Sequence, residues 1–288
     1  MSVSRRRLLH SSIALPAAAL GFAASSSERD DPSVSDQVGN MFFTMTNSAG
    51  GNEIVAYRFN RQGAKVGLYE SQRTPAGGQG GGSGLGSQGA LALNTERTAL
   101  MAVNAGSNTV AMLAVGASGL MPAVTAPSGG ERPISLTESN GVVYVLNAMG
   151  TPNISGLVVN GATLQPLAGS TRTLPIGSAP AQVSFSPDGN FLVVSLRATN
   201  QVLVYPVNVQ GVPGAAVVSS SAGMTPFGFA FTSGGVIVVS EAFGGATNAS
   251  TVSTYEIRDN GTLAVISNQV PLQQSAACWV AMSPGSRY

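Results

Sequence analysis

The chain has 288 residues, 43% hydrophobic and only 9% charged, with 36 glycines and 16 prolines, which describes a folded, turn-rich and weakly charged protein. Its 14 basic residues, set against 13 acidic ones, form no block able to hold a phosphate backbone, so nucleic acid is excluded as a partner. One His (His10), one Cys (Cys278) and one Trp (Trp279) exclude an internal disulfide and a zinc site of the Cys/His type, and neither a metal nor a cofactor is expected.

At the N-terminus Ser4-Arg5-Arg6-Arg7-Leu8-Leu9 precedes an apolar run over residues 13–24. A basic start followed by 12 apolar residues reads as an export signal. The run falls short of the roughly 20 residues that span a bilayer, so no stable membrane insertion is expected after cleavage. The order Ser-Arg-Arg-x-Leu-Leu resembles the bacterial twin-arginine signal, with an ordinary secretory signal as the alternative. The export machinery is then a partner, and the mature protein is periplasmic or extracellular. Gly21 and Ala23 suit cleavage after Ala23, giving a signal peptide over 1–23 and a polar linker over 24–39. Cleavage removes Arg5, Arg6, Arg7 and the single histidine. The remainder carries 11 basic and 13 acidic residues, a net charge of −2, and no imidazole for Ser-His-Asp, Cys-His or His-metal chemistry.

Strands are predicted at about 41–47, 53–59 and 66–70, followed by a glycine-rich loop over 74–89. An internal repeat then takes over. Gly130-Glu131-Arg132-Pro133, Gly177-Ser178-Ala179-Pro180 and Gly223-Met224-Thr225-Pro226 all read Gly-x-x-Pro and start 47 and 46 residues apart. Each leads into a short apolar strand and a polar turn, best seen in Ser186-Pro187-Asp188-Gly189. A β-rich run such as Val142-Val143-Tyr144-Val145 and an amphipathic third strand such as 201–207 follow. Gly86-Ser87-Gln88-Gly89 opens an earlier copy. About four strands per 44–47 residues, with no helical stretch, is the period of a β-propeller blade. A sandwich or solenoid is the competing all-β reading, but a sandwich has no reason to repeat at one period.

The count is 20 strands, the last at about 278–282, or five blades over residues 40–288. Residues 281–288 repeat the pattern of 184–191, so the chain stops where another strand should begin. That predicts a truncated larger propeller, with a closed five-bladed ring as the alternative.

Tyr144-Val145-Leu146-Asn147, Thr44-Met45-Thr46-Asn47 and Met101-Ala102-Val103-Asn104 resemble the Tyr-Val-Thr-Asn strand ends of the lactonase-type β-propellers, as do Ser186-Pro187-Asp188-Gly189 and the 104–110 segment. That family includes 6-phosphogluconolactonases and carboxymuconate-lactonising enzymes. The resemblance covers residues 40–288 and implies seven blades. It also implies a small lactone or anionic sugar acid as the partner, and hydrolysis or cycloisomerisation as the reaction. Some members use an axial histidine, which the mature chain lacks. A non-catalytic propeller that binds protein or glycan through its loops is the alternative function.

Propeller ligands sit where loops converge on the axis. The repeat places Gln88, Arg132, Gln182, Phe227 and Trp279 there, with Asn104, Asn147, Arg197 and Glu241 at nearby strand ends. Glu241 is the expected base, and Arg132 and Arg197 the expected anion clamps. Gly84-Leu85-Gly86-Ser87-Gln88-Gly89 fits a dinucleotide fingerprint but leads into a strand, so that reading fails. Cys278 is expected to be a buried small hydrophobe within an inner strand. Three Asn-x-Ser/Thr triplets, beginning at Asn153, Asn248 and Asn260, are chance matches in an Asn/Ser-rich chain.

Overall fold

The computed structural model describes residues 41–62, 65–116 and 118–283; the predicted signal peptide and linker lie outside the described residues. Five antiparallel sheets succeed one another along the chain. The first holds β1 (Met41–Met45), β2 (Glu53–Gln62) and β3 (Lys65–Pro75). The second holds β4 (Leu91–Leu93), β5 (Ala99–Asn104) and β6 (Thr109–Gly116), with its outer edge split into β7 (Gly119–Leu120) and β8 (Val124–Pro127). The third holds β9 (Glu131–Ser139), β10 (Val142–Met149) and β11 (Asn153–Asn160), its outer edge split into β12 (Thr163–Pro166) and β13 (Arg172–Thr173). The fourth runs β14 (Pro180–Phe185), β15 (Phe191–Leu196), β16 (Gln201–Pro206), β17 (Val217–Ser220). The fifth runs β18 (Pro226–Phe231), β19 (Ile237–Glu241), β20 (Thr251–Ile257), β21 (Leu263–Pro271).

Two expectations about strands need correction. The predicted strand at 278–282 does not form; that segment runs without regular structure beside β18, where the Gly228 N–H donates to the Cys278 carbonyl at 2.9 Å. The third strand of a blade is not generally amphipathic, since β6 and β16 are buried along most of their length.

The second follows from how the sheets stack. Along β10, Val143 and Val145 pack toward the second sheet while Tyr144 and Leu146 pack toward the fourth. In β5, Leu100 and Ala102 join the first sheet and Met101 and Val103 the third. In β15, Leu192 and Val194 face the third sheet and Val193 the fifth. Alternate side chains point to opposite faces of a strand, so a strand covered on both faces must be apolar at every position. Each fully buried Val or Leu contributes about 1.5–3 kcal/mol. Outer strands such as β17 alternate between half-buried and exposed residues.

In two of its three copies the Gly-x-x-Pro motif marks a close contact, the exception being Gly177, which has open space around it. Pro133 pairs with Asn147, and Pro226 with Glu241. The glycine three residues earlier lies against the same side chain: a Cβ at Gly130 would sit 2.7 Å from the Asn147 Cβ, and one at Gly223 would sit 2.3 Å from the Glu241 Oε2. The residue before each proline, Arg132, Ala179 or Thr225, is left-handed, with φ of 54°, 49° and 58°. Two of these residues are tied to the preceding sheet. The Arg132 N–H donates to Asn108 Oδ1 at 2.8 Å, and the Thr225 N–H to Asn200 Oδ1 at 2.7 Å.

Candidate functional site

Five of the nine predicted site residues converge where the innermost strands meet. Gln182 in β14 accepts the Phe229 N–H at 2.8 Å and donates to the Phe229 carbonyl at 3.0 Å. Gln88, just ahead of β4, donates to the carbonyls of Phe229 (3.2 Å) and Val280 (2.9 Å) and accepts the Val280 N–H at 3.0 Å. Both amides are therefore committed to the backbone of β18 and of the segment beside it. They tie the axis together, in place of the substrate-binding role expected of them.

Arg197, Phe227 and Trp279 form the accessible part of the cluster. Arg197 follows the end of β15 and anchors its Nε to the Ala179 carbonyl at 3.2 Å, leaving both terminal nitrogens free of protein partners among the described hydrogen bonds. Its guanidinium lies 5.0 Å from the centroid of the Phe227 ring, and a Cβ on Gly86 would lie 3.4 Å from one of its terminal nitrogens. Phe227 meets Trp279 edge-on at 6.0 Å, and the indole N–H donates to the Ser87 carbonyl at 3.1 Å. Trp279 is 69% exposed, so a ligand can reach this wall. Burial draws the Arg197 pKa down from the ordinary guanidinium value, countered in part by Cys278. Among the described residues the ion pairs are Arg73 with Glu53 and Glu70, and Arg258 with Glu256; Arg197 belongs to none. A half-buried cation without a counter-ion, set over the Phe227 ring, suits a small anion or a carbonyl oxygen that gains negative charge.

The other predicted residues lie elsewhere. Glu241 is fully buried at the end of β19. Its Oε1 accepts from the Gly223 N–H at 2.7 Å, Ser221 Oγ at 3.2 Å and the Tyr255 hydroxyl at 3.4 Å, and its Oε2 accepts from the Thr251 hydroxyl. A carboxylate so enclosed clamps its own sheet and is closed to substrate, which corrects its expected role as a base. Asn104 and Asn147 are the same device in other sheets. Asn104 donates to the Ala76 carbonyl at 3.1 Å, and Asn147 to the Ser128 carbonyl at 3.1 Å, and both are fully buried. Neither is open to a substrate. Arg132 borders a different hollow, of about 320 Å³, with Gln79, Gly80 and Gly106. Cys278 is half-buried and irregular in backbone rather than part of an inner strand. Burial pushes its thiol pKa up, and Arg197 pulls it back.

Sequence reasoning missed the backbone of Gly86 and Ser87, whose contribution comes from carbonyl position and lack of side chain. It also missed the Gly130–Asn147 and Gly223–Glu241 contacts, for which the similar spacing of Gly-x-x-Pro and strand end, 17 and 18 residues from the glycine, was the available signal. Among the described residues no group of three His, Cys, Asp or Glu side chains is placed to hold a metal ion.

Stacked four-stranded meanders whose innermost strands converge on a polar axis define a β-propeller. A family described as "Lactonase, 7-bladed beta-propeller" matches residues 93–282, and the chain belongs to that family. No curated protein sequence matches it. Its fold is shared with the periplasmic gluconolactonase PpgL of Pseudomonas aeruginosa at 18% identity, covering 86% of this chain and 74% of that one, with a TM-score of 0.61. A candidate 6-phosphogluconolactonase from Bacteroides uniformis gives 13% identity, 87% and 74% coverage and a TM-score of 0.63. A Lactobacillus plantarum protein gives 19%, 82% and 70%, and 0.63.

Proposed function

We propose that the protein hydrolyses a small sugar lactone at the mouth formed by Arg197, Phe227 and Trp279. The observation that carries this reading is the half-buried Arg197 guanidinium without a carboxylate partner, set on an aromatic wall in a lactonase-family propeller. The sugar ring rests on Trp279, and the free guanidinium N–H groups donate to the lactone carbonyl. Water adds to the carbonyl carbon and gives up a proton to solvent, Arg197 stabilises the oxyanion of the tetrahedral intermediate, and the ring C–O bond breaks as its oxygen takes a proton from solvent, giving a hydroxy acid. The acid ionises at neutral pH, and its carboxylate finds the same cation. Hydrolysis is favoured over cycloisomerisation because the enclosed Glu241 cannot reach a substrate C–H. The Ser4-Arg5-Arg6 motif supports twin-arginine export.

Lactone opening is followed by proton release with glucono-δ-lactone and its 6-phosphate in weak buffer. Arg197→Gln lowers kcat/KM about 10²-fold, Arg197→Lys does not restore it, because it lacks the planar fork, and Trp279→Ala raises KM. Turnover unchanged in Arg197→Gln, or none above the spontaneous rate across the panel, overturns the proposal; the latter outcome leaves a binding propeller.

A further inference from the structure

A second site lies at the opposite ends of the strands, in the seam between the second and third sheets. The turns joining β4 to β5 and β9 to β10 border a cleft of about 710 Å³, within the range of pockets that hold small organic ligands. Its floor carries Met101, Met112, Val124 and Val159. Met101 and Met112 are directly opposed across β5 and β6, and both are buried. Unbranched thioether side chains adapt their shape to an apolar guest.

The volume comes from the sequence rather than from the architecture. The corresponding hollow between the third and fourth sheets holds about 250 Å³, because Phe185 and the 207–211 loop fill it. The larger cleft is bordered instead by the small side chains of half-buried Ala99 and exposed Ala114.

One carboxylate defines the polar rim. Glu138 accepts the Thr95 N–H at 2.8 Å and the Thr95 hydroxyl at 3.1 Å on one oxygen, and the Gly141 N–H at 2.7 Å on the other. These bonds fix the group across the seam, yet it has no ion-pair partner among the described residues. Glu96 lines the same cleft, and no Lys or Arg does. An apolar floor beneath an uncompensated negative rim selects one kind of guest.

We propose that this cleft binds a small organic cation, an apolar ring or chain body carrying one ammonium group, with the body on Met101 and Met112 and the ammonium at Glu138. The site is independent of the axial mouth.

Calorimetric titration of the full chain with 1-naphthylmethylamine, 1-naphthylmethanol and 1-naphthylacetate tests this. The amine should bind about three- to tenfold tighter than the alcohol, as a partly exposed charge pair allows, and the acetate weakest. Glu138→Gln should erase the preference of amine over alcohol. Ala114→Trp, at an exposed strand position, should abolish binding of all three with the melting temperature and lactone turnover unchanged. Absence of amine binding at millimolar concentration, acetate binding as tight as amine, or an unaltered titration in Ala114→Trp would each overturn the proposal.

Discussion

Replacing Glu241 by Gln keeps the shape of the side chain and removes its charge. Four donors converge on the native carboxylate, and the backbone N–H of Gly223 cannot turn to accept, whereas the hydroxyls of Thr251, Ser221 and Tyr255 can rotate. A hydrogen bond to a charged group is worth about 1.5–3 kcal/mol and a neutral one about 0.5–1.5. Weakening the two main bonds, from Gly223 and Thr251, therefore costs about 2 kcal/mol. In a domain of this size that lowers the melting temperature by about 4–8 °C. Glu241→Ala strands all four donors and costs more, about 4 kcal/mol if only the strongest two go unpaired. Neither change should alter lactone turnover per folded molecule at a temperature where both variants are folded. Thermal melts by circular dichroism, paired with turnover at 20 °C below the lower melting point, separate the roles. A drop in kcat of about 10²-fold or more in Glu241→Gln, at unchanged melting temperature, would be the signature of a general base and would refute the structural assignment.

In the Ser186-Pro187-Asp188-Gly189 turn, burial alone would raise the Asp188 pKa, but hydrogen bonds from Ser186 and Asn190 outweigh it and hold the carboxyl below the ordinary range. A folded-state value below the unfolded one gives stability that is present above the ordinary Asp range and lost as pH falls through the folded value. Asp188→Asn should therefore lower the melting temperature at neutral pH and flatten its fall on the acid side; an unchanged acid limb contradicts the assignment. The Cys278 thiol is raised by burial and lowered by Arg197, so its alkylation by iodoacetamide should rise with pH later than that of a free thiol. Arg197→Met should delay it further, and coincident profiles would show that the two side chains do not meet.

Much of the fold was readable because covering a strand on both faces leaves a local mark. The Val142-Val143-Tyr144-Val145 run and the Gly-x-x-Pro spacing record stacking directly, and two residues read as axial from the repeat, Gln88 and Gln182, both bond to the Phe229 carbonyl. What could not be read was the state of satisfaction of each polar group. Gln88 looks like a free amide in sequence, yet its partners lie in Phe229 and Val280, at separations no local pattern reveals. Glu241 ends an apolar run, which signals burial correctly, but its donors come from residues 221, 223, 251 and 255, so a clamp and a desolvated base look alike. The segment over 278–282 repeats the inner-strand pattern, but the pattern does not specify that it meets β18 through a few bonds rather than a full ladder.

The ties between sheets differ in reach, and reach sets an order of assembly. Asn108 and Arg132 are 24 residues apart, as Asn200 and Thr225 are 25, whereas Gln88 and Val280 are separated by 192. Each doubling of a closed loop adds about 0.6 kcal/mol, so closing the longest tie from an unfolded chain costs about 2 kcal/mol more than closing a short one. Neighbouring sheets can therefore dock in the order in which they are synthesised, each using the one before as a template. The Gln88 amide completes its bonds only after the fifth sheet and the segment at Val280 are in place, as a latch that closes late.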